Sequence, residues 1–298
     1  MTGLAVLDTS TATREEWLSA RKLGSSDAAA IVGLNPYRTR FAVFMDKIGE
    51  SEPLEETDPM YFGTLLEPVI AQEFSRRSGL RVQKDNRLMA HPTYEWMTAT
   101  LDYLVYEGDE VGALEIKNTS QWNAISWEDG APDAAHIQLM HQLAVTGLNF
   151  GYIAVLIGGN RLEYRRFDRD EDIIASLTQL ESEFWSLVEK RQPPELSTGD
   201  GDLLAALYPV SNANEIPLPA PCQDAIVRFM EAQDKIKFWE SAKELAANEI
   251  KQALGENERG AVGPYIATWK TQSRKEHVVK ASTFRKFTIK EVNTDGNE

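Results

Sequence analysis

The chain of 298 residues contains little cysteine, no long apolar run and fewer basic than acidic residues. Its one cysteine, Cys222, excludes disulfide bonds within a chain and any zinc or iron–sulfur site that needs several cysteine ligands. No segment approaches the roughly 18 consecutive apolar residues of a membrane-spanning helix, and the N-terminus lacks the basic start and apolar core of a signal peptide. These absences predict a cytoplasmic protein.

A phosphate-binding loop of the form GxxxxGK[ST] is also missing, so the sequence shows no site for ATP. The net charge of −15 disfavours nonspecific binding to nucleic acid. That charge is unevenly distributed, because eight Lys or Arg and one Glu lie between Arg259 and Lys290. A local basic surface can contact phosphates while the remainder of the protein repels them. The composition therefore leaves a nuclease open.

The central feature of the sequence is a predicted β-hairpin. Two short apolar runs, residues 100–106 and 111–116, flank the turn sequence EGDE, which contains Gly108. Asp102 lies in the first run. Glu115 and Lys117 lie two residues apart at the end of the second, so the alternation of a strand places both side chains on one face.

This arrangement of two carboxylates and one ammonium group is typical of a site for a hard cation. Mg²⁺ prefers oxygen ligands, and Asp102 and Glu115 can supply them, while Lys117 can hold a water or stabilise charge on a phosphate. An E-x-K pair on a strand is more often a solvated ion pair. Here Leu114 and Ile116 indicate a half-buried strand, which favours the functional interpretation.

The N-terminal region predicts two short helices separated by Gly24. The first covers residues 15–22, and Ser25, Ser26 and Asp27 can cap the second, residues 28–32. Hydroxyl groups at a helix start, one turn from Arg21, can bind an anion, although a plain cap explains the same pattern.

Two further predicted helices carry polar residues of interest. The helix at residues 60–78 carries Glu67 and is expected to bury an apolar stripe of Leu65, Val69, Ile70 and Phe74. The helix at residues 134–146 carries Gln138 and Gln142 one turn apart on one face, which is either a solvated face or part of a site.

The rest of the chain completes the predicted organisation. Strands are expected at residues 81–85, 88–91, 151–158 and 161–167, and an amphipathic helix at 170–190 with a buried stripe of Ile173, Leu177, Leu180, Phe184 and Leu187. A proline-containing linker covers residues 196–221. One long helix at 222–254 and two short strands at 265–269 and 277–280 follow. The predicted domains are thus residues 1–195 and 222–298.

Taken in order, FGTLLEP on a helix, LDYLV and LEIKN on a hairpin, and HIQLMHQL on the next helix resemble the core of PD-(D/E)XK nucleases. Together with WLSARKLGSSDAAAIVGLNPY, they resemble the YqaJ-type viral recombinase family, relatives of phage lambda exonuclease. The resemblance covers residues 14–195. It implies an α/β fold with a mixed central sheet flanked by helices, to which the long helix and a basic β-hairpin are appended.

The resemblance also implies roles for individual residues. Asp102 and Glu115 match metal-binding acids, with the Ile116 carbonyl as a further ligand and Glu67 reaching the same site, which takes two Mg²⁺ or Mn²⁺ ions. Lys117 matches the motif lysine and Gln138 the glutamine beside it. Arg21 and Ser26 match the residues that bind a terminal 5′-phosphate, although Ser25 remains an alternative to Ser26. Gln142 is the weakest of these matches.

The implied activity is an Mg²⁺-dependent, ATP-independent 5′→3′ exonuclease that converts duplex DNA ends into 3′ single strands. Implied partners are a RecT-like or Red-beta-like annealing protein and further copies of the chain in a trimeric ring, in a bacterial host cell with a phage or prophage origin. Two alternatives remain open. One is an endonuclease of restriction or repair type, and the other a non-catalytic DNA-binding recombination module that uses the basic tail residues Lys270, Arg274, Lys275, Lys280, Arg285 and Lys286.

Overall fold

The computed structural model describes residues 1–51, 56–273, 281 and 284–289. The chain divides into two units, Met1–Leu207 and Tyr208–Glu298. The predicted strand at 277–280 and the basic residues Arg274, Lys275 and Lys280 lie outside the described residues. Each unit is built from the strands and helices whose bounds follow.

The strands are β1 Leu4–Asp8, β2 Leu23–Gly24, β3 Arg81–Lys84, β4 Arg87–Ala90, β5 Met97–Thr100, β6 Tyr103–Glu107, β7 Glu110–Thr119, β8 Phe150–Ile157, β9 Arg161–Asp168, β10 Arg259–Val262 and β11 Tyr265–Thr268. The α-helices are α1 Arg14–Ala20, α2 Ser25–Ile31, α3 Arg40–Lys47, α4 Asp58–Ser78, α5 Asp133–Thr146, α6 Glu171–Glu189, α7 Gly201–Leu207 and α8 Pro221–Leu254. Short 3₁₀ helices cover Gln121–Trp127 and Thr198–Asp200.

The first unit is organised around a mixed five-stranded sheet with the order β3-β6-β7-β8-β9. β6 and β7 form the predicted hairpin, and Gly108 occupies its turn with a φ of 60°, a value that favours glycine. β7 then pairs in parallel with β8, and β8 pairs antiparallel with β9. The mixed sheet and the β8–β9 hairpin are as predicted.

A second sheet with the order β1-β4-β5-β2 lies in the same unit. It corrects the predicted strand at 100–106, because residues up to Thr100 belong to β5, while β6 of the other sheet begins at Tyr103. Asp102 therefore sits in the short connection between the two sheets rather than inside a strand. The sequence reasoning also missed β1, whose residues are largely exposed.

Helices cover both faces of the five-stranded sheet. On one face, Ile70 and Phe74 of α4 pack with Leu114 and Ile116 of β7. On the other, Leu139 and Leu143 of α5 pack with apolar residues that include Ile153 of β8. Side chains of β7 therefore alternate between the two faces: the apolar Leu114 and Ile116 point toward α4, and the polar Glu115 and Lys117 point toward α5.

Two predicted apolar stripes are wrong in part. On α4, Leu65 and Val69 are about half exposed, and the buried residues are Ile70, Ala71 and Phe74. On α6, the buried residues are Ile174, Leu177, Glu181, Phe184 and Val188, while Leu180 is largely exposed. The α6 stripe is rotated, and it includes Glu181, which was not part of the predicted stripe.

The first unit continues past residue 195 into the segment predicted as a linker. Asp200 is buried, accepts hydrogen bonds from the Ser197 backbone at 2.6 Å and the Thr39 hydroxyl at 2.5 Å, and is followed by α7. Leu203 and Leu204 of α7 pack against the cluster that includes Phe44 and Phe184. The compact unit therefore ends at Leu207.

The second unit contains the predicted long helix as α8 and a hairpin of β10 and β11. β11 pairs with β10, the strand that precedes it in the chain. Nowhere in the described ranges is a helix both long enough and apolar enough to cross a membrane.

Candidate active site

Asp102 and Glu115 lie side by side because the β6–β7 register joins their segments. Tyr103 pairs with Leu114, so the residues next to them, Asp102 and Glu115, meet where the hairpin opens. The Ile116 backbone N–H donates a 2.8 Å hydrogen bond to Asp102 Oδ2. The Glu115 side chain is buried and points toward α5. The hairpin therefore holds two carboxylates in a fixed relation.

Lys117 joins this group from the same face of β7, as strand alternation predicts. Its Nζ lies 2.7 Å from Glu115 Oε1 and donates a hydrogen bond of 2.7 Å to Gln138 Oε1. Gln138 in turn donates from Nε2 to Glu115 Oε1 at 2.7 Å. The three side chains form a closed triangle of hydrogen bonds that fixes the position of the ammonium group.

The glutamines of α5 belong to the site and not to a solvated face. Gln142, one turn beyond Gln138, is buried and donates to Glu115 Oε2 at 2.6 Å and to the Thr100 carbonyl at 3.3 Å. Both oxygens of Glu115 are therefore bonded to α5. Gln142, the weakest match of the family resemblance, orients this carboxylate in the structure.

Glu67 reaches the neighbourhood of the site from α4 but is bonded elsewhere. Its Oε2 lies 2.8 Å from Nζ of Lys84 on β3, and its side chain is largely covered. Sequence reasoning missed Lys84, since no spacing in the chain links a lysine on an edge strand to a helix acid. Glu67 nevertheless acts electrostatically on Asp102.

The electrostatics of the site show an excess of negative charge. Burial, followed by the charges of Glu115 and Glu67, raises the pKa of Asp102 well above its ordinary value. Burial alone would lower the pKa of Lys117, but the charge and hydrogen bond of Glu115 raise it above its ordinary value. Three carboxyl groups, Asp102, Glu115 and Glu67, therefore share two lysines, Lys117 and Lys84.

The negative charge of these carboxyl groups would be compensated by a bound cation. Carboxylate and carbonyl oxygens are the ligands that Mg²⁺ prefers, and Asp102, Glu115 and the Ile116 carbonyl are such donors. Within the described residues, no group of three or more His, Cys, Asp or Glu side chains gathers as a metal cage. Glu67 and Glu115 are instead engaged by Lys84 and Lys117. The metal ligands that the resemblance implies stay a prediction, and all of them are oxygen donors of the kind that Mg²⁺ binds.

A buried ion pair supports the site from behind. His141, fully buried on α5 between the two glutamines, contacts Glu181 Oε1 of α6 through Nδ1 at 2.8 Å and the Thr98 carbonyl through Nε2 at 2.9 Å. A backbone carbonyl and an ionised Glu181 carboxylate only accept hydrogen bonds, so these contacts favour an imidazole with a proton on both ring nitrogens. Burial disfavours this charge, but Glu181 raises the pKa of His141 above its ordinary value.

Replacing Glu181 by glutamine is expected to lower the free energy of unfolding by about 2–4 kcal/mol at pH 6, because it leaves a buried charge without its partner. A histidine pKa raised by folding contributes stability that is complete below the unfolded pKa, about 6.5, and is lost as pH rises through the folded pKa. The loss caused by Glu181→Gln should therefore shrink at alkaline pH. Urea unfolding at several pH values measures it.

The matched control is Glu183→Gln, on the same helix but exposed and bonded only to Gln179. It should change stability by less than about 0.5 kcal/mol. A pH-independent effect of Glu181→Gln would show that the His141 charge does not contribute.

The other predicted group, Arg21 and Ser26, is also assembled by the fold. Arg21 Nη2 donates to Ser26 Oγ at 2.6 Å, and the guanidinium lies 4.9 Å from the centre of the Trp17 ring. Ser26 is exposed, whereas Ser25 is buried. A Cβ atom at Gly24 would come within 2.4 Å of Arg21 Nε, so a side chain there would displace the guanidinium from this position. The geometry favours Ser26 over Ser25 as the accessible hydroxyl.

A buried carboxylate fixes Arg21 in place. Asp27 had been predicted as a helix cap, and it does accept from the Gly24 N–H at 3.0 Å. Its larger role is to hold three cations: Arg38 Nη1 at 2.6 Å, Lys47 Nζ at 2.9 Å and Arg21 Nη2 at 3.7 Å. Sequence reasoning missed Arg38 and Lys47. Asp46 also contacts Arg38 and Lys47, so two acids face three cations and the cluster carries one net positive charge.

The two groups lie on adjacent helices. Ala28 of α2, one residue after Asp27, packs in the same core as Leu139 and Leu143 of α5, and α5 carries Gln138. No direct contact joins Ser26 or Arg21 to Lys117 among the described residues. The fold therefore gives a carboxylate and lysine group, and beside its supporting helix a separate cationic group.

Residues 16–149 match the family described as the YqaJ-like viral recombinase domain. The chain is 34% identical over 304 residues to the uncharacterized protein YqaJ of Bacillus subtilis (strain 168), which covers 94% of this chain and 95% of that protein. An alkaline exonuclease from Laribacter hongkongensis, LHK-Exo, shares its fold with a TM-score of 0.51 and 26% identity, covering 60% of this chain and 94% of the exonuclease. The structure of LHK-Exo in complex with dAMP matches with the same TM-score and 25% identity, covering 64% and 96%.

These matches agree with the geometry. The sheet order, the hairpin with Asp102 and Glu115, and the helix with Gln138 form the PD-(D/E)XK fold of the phage-type alkaline exonucleases. The identity to YqaJ extends over nearly the whole of both chains, including the region beyond residue 149. The chain belongs to the family of YqaJ-like viral recombinases.

Proposed function

We propose that this protein is a nuclease that degrades duplex DNA from 5′ ends without ATP and leaves 3′ single strands, with Mg²⁺ as its cofactor. The observation that carries the proposal is the hydrogen-bonded group of Glu115, Lys117 and Gln138 beside Asp102. Such a group occurs here on the fold shared with an alkaline exonuclease. A nuclease is the activity that the relationship supports, and the polarity and metal are part of the proposal.

The residues of the site have separable tasks. A bound divalent cation would supply Lewis-acid polarisation of the scissile phosphate and activation of water. Asp102, Glu115 and the Ile116 carbonyl would hold it. Lys117 carries donors only, so it orients the attacking water or stabilises charge on the phosphate oxygens and does not act as a base. Gln138 and Gln142 keep the Glu115 carboxylate in one orientation.

The cationic group on α1, α2 and α3 supports the choice of DNA ends. A terminal 5′-phosphate carries more negative charge than an internal phosphodiester, and an arginine fork with a serine hydroxyl matches its oxygens. Arg21 and Ser26 provide this pair, and Arg38 and Lys47 add positive charge around Asp27. Binding the end at this group would fix the position of the first phosphodiester. LHK-Exo is an alkaline exonuclease whose structure holds dAMP, a deoxynucleotide, and this likeness supports a DNA substrate for the present protein.

We also propose that the protein acts in the bacterial cytoplasm as a homo-oligomer and passes its single-stranded product to a RecT-like annealing protein. These partners follow from the family resemblance. The overall charge of −15 agrees with contact limited to DNA ends, because most of the surface repels the duplex.

The function is tested by the degradation of linear duplex DNA with Mg²⁺ and without ATP. We expect 5′-phosphorylated linear DNA to be lost faster than 5′-hydroxyl DNA and closed circular DNA to survive. Arg21→Ala should remove most of the preference for the phosphate, about 10-fold or more, while hydrolysis of 5′-hydroxyl ends changes little.

The matched control is Arg14→Ala, an exposed arginine on α1. Cleavage of the closed circle would replace the proposal by an endonuclease. Binding without hydrolysis under Mg²⁺ and Mn²⁺ would replace it by a DNA-binding recombination module. Equal use of both linear substrates by the unaltered protein would overturn the role of Arg21 and Ser26 alone.

A further inference from the structure

The long helix α8 has an apolar face that is largely exposed to solvent. Of its 34 residues only Leu254 is buried. Ile236, Trp239 and Ile250 are each 50% exposed or more, and Phe229 is 40% exposed. A helix gains most of its stability by burying an apolar face. The exposed face therefore calls for a partner.

The spacing of that face is the seven-residue repeat of a coiled coil. Its two core positions recur along nearly five heptads. The first core position is filled by Cys222, Phe229, Ile236, Lys243 and Ile250, and the second by Ala225, Ala232, Trp239, Ala246 and Ala253. The first core position thus holds mostly large residues, and the second holds mostly alanine.

We propose that α8 pairs with α8 of a second copy of this chain in an antiparallel coiled coil. In an antiparallel pair, each first core position faces a second core position of the partner. Centring the pair between Ile236 and Trp239 gives five distinct layers, and three of them match a large residue with alanine. These layers are Cys222 with Ala253, Phe229 with Ala246, Lys243 with Ala232, Ile250 with Ala225, and Ile236 with Trp239.

Charges beside the core agree with the same register. It places Arg228 of each helix opposite Glu249 of the other, twice in the symmetric pair. Both residues are exposed, and neither forms an ion pair within the described part of the chain. The complementary charges on one helix are therefore arranged for a second copy of the same helix.

A parallel pair fits the sequence less well. It would place Lys235 opposite Glu240, which is favourable, but it would also bring the two Lys243 side chains together in the core. Alanine would face alanine in four layers and leave them poorly filled. The large-to-small match exists only in the antiparallel arrangement.

Residues of the second unit already touch one end of the face. Phe287 lies edge-on to Phe229, with ring centroids 5.6 Å apart. Phe229 nevertheless remains 40% exposed, and Ile236 and Trp239 at the centre are exposed by 58% and 67%. The central layers are thus accessible to a partner helix. The alternative, a face covered within the chain, is an outcome of the test.

The native Cys222 makes the test specific. In the proposed register Cys222 faces Ala253 of the partner, so Ala253→Cys in the full chain should form a disulfide-linked dimer on mild oxidation. The two positions of one helix are about 46 Å apart at 1.5 Å per residue, so an intrachain bond is excluded. The unaltered protein should stay unlinked, because an antiparallel pair separates the two Cys222 residues. Asn248→Cys, on the opposite face, is the matched control.

Charge exchange supplies an independent measurement. Arg228→Glu or Glu249→Arg alone should weaken association about 30-fold in sedimentation equilibrium, and the double exchange should restore it to within about threefold. A disulfide between Cys222 residues in the unaltered protein would show a parallel pair and overturn the proposal. No linkage of Ala253→Cys, or no rescue by the double exchange, would show a face covered within the chain and overturn it as well. The result does not depend on the nuclease activity.

Discussion

Replacing Lys117 by alanine is expected to lower the rate of DNA hydrolysis by at least about 10²–10³-fold, the loss typical when a donor to developing charge is removed. The reason lies in the geometry of the ammonium group. Its Nζ is held 2.7 Å from both Glu115 and Gln138, beside Asp102, so the charge is fixed before substrate arrives. A water molecule that fills the space left by alanine would carry no charge. Initial rates on 5′-phosphorylated linear duplex DNA, at saturating Mg²⁺, measure the effect.

The fold and DNA binding should survive this change, because Lys117 lies at the open end of the hairpin and its side chain is partly exposed. Thermal unfolding and the DNA dissociation constant, measured in Ca²⁺ to prevent turnover, serve as readouts. Lys190→Ala, an exposed lysine at the end of α6, is the matched control and should retain full activity. Full activity of Lys117→Ala would refute the assignment of this group as the active site.

The parts of this site that sequence could predict are those that one element encodes locally. Glu115 and Lys117 share a face because strand alternation has a fixed period of two. Gln138 and Gln142 share a face because a helix repeats every 3.6 residues. The hairpin that adds Asp102 is encoded by its turn at Gly108. Local periodicity therefore predicts which residues share a face, whereas the contact of Gln138 with Lys117 is implied only by the family resemblance.

Partners that come from distant elements could not be predicted in this way. Lys84 meets Glu67 across β3 and α4, and Glu181 meets His141 across α6 and α5. Nothing in the spacing of the chain records such a contact. A signal did exist for Glu181, since it stands four residues after Leu177, within the buried stripe. The predicted stripe contained the neighbouring Leu180 instead and was therefore wrong in part.

Asp27 shows how a local explanation can conceal a larger role. The pattern of serine and aspartate before an apolar run is fully explained by a cap, and Asp27 does accept from the Gly24 N–H. Its contacts with Arg38 and Lys47 depend on the packing of α2 with α3 and cannot be read from that pattern. The cationic group around Asp27 arises from tertiary packing, and the contribution of its ion pairs to the free energy of unfolding can be measured.

Replacing Asp27 by asparagine is expected to lower the free energy of unfolding by about 3–5 kcal/mol, since removing one member of a buried ion pair leaves its partners uncompensated. The Asp27 side chain is fully buried. Burial alone would raise its pKa, but Arg21, Lys47 and Arg38 lower it to about 2. Asparagine keeps the volume and removes the charge, so the cost reports the electrostatics. Urea unfolding at pH 7 measures the difference.

The dependence on pH separates this contribution from a packing effect. A carboxyl group whose pKa is lowered by folding contributes stability that is present above its unfolded pKa, near 3.8, and is lost as pH falls through the folded value of about 2. The difference between the native protein and Asp27→Asn should thus be constant above about pH 5 and shrink below pH 4.

Asp46→Asn is the matched control, because Asp46 contacts the same Arg38 and Lys47 at 2.9 and 3.3 Å but is 43% exposed. It should cost less than about 1 kcal/mol. Equal costs for the two variants would mean that burial does not strengthen the Asp27 ion pairs, and the cationic group would then lack the fixed anchor that the proposed end recognition by Arg21 requires.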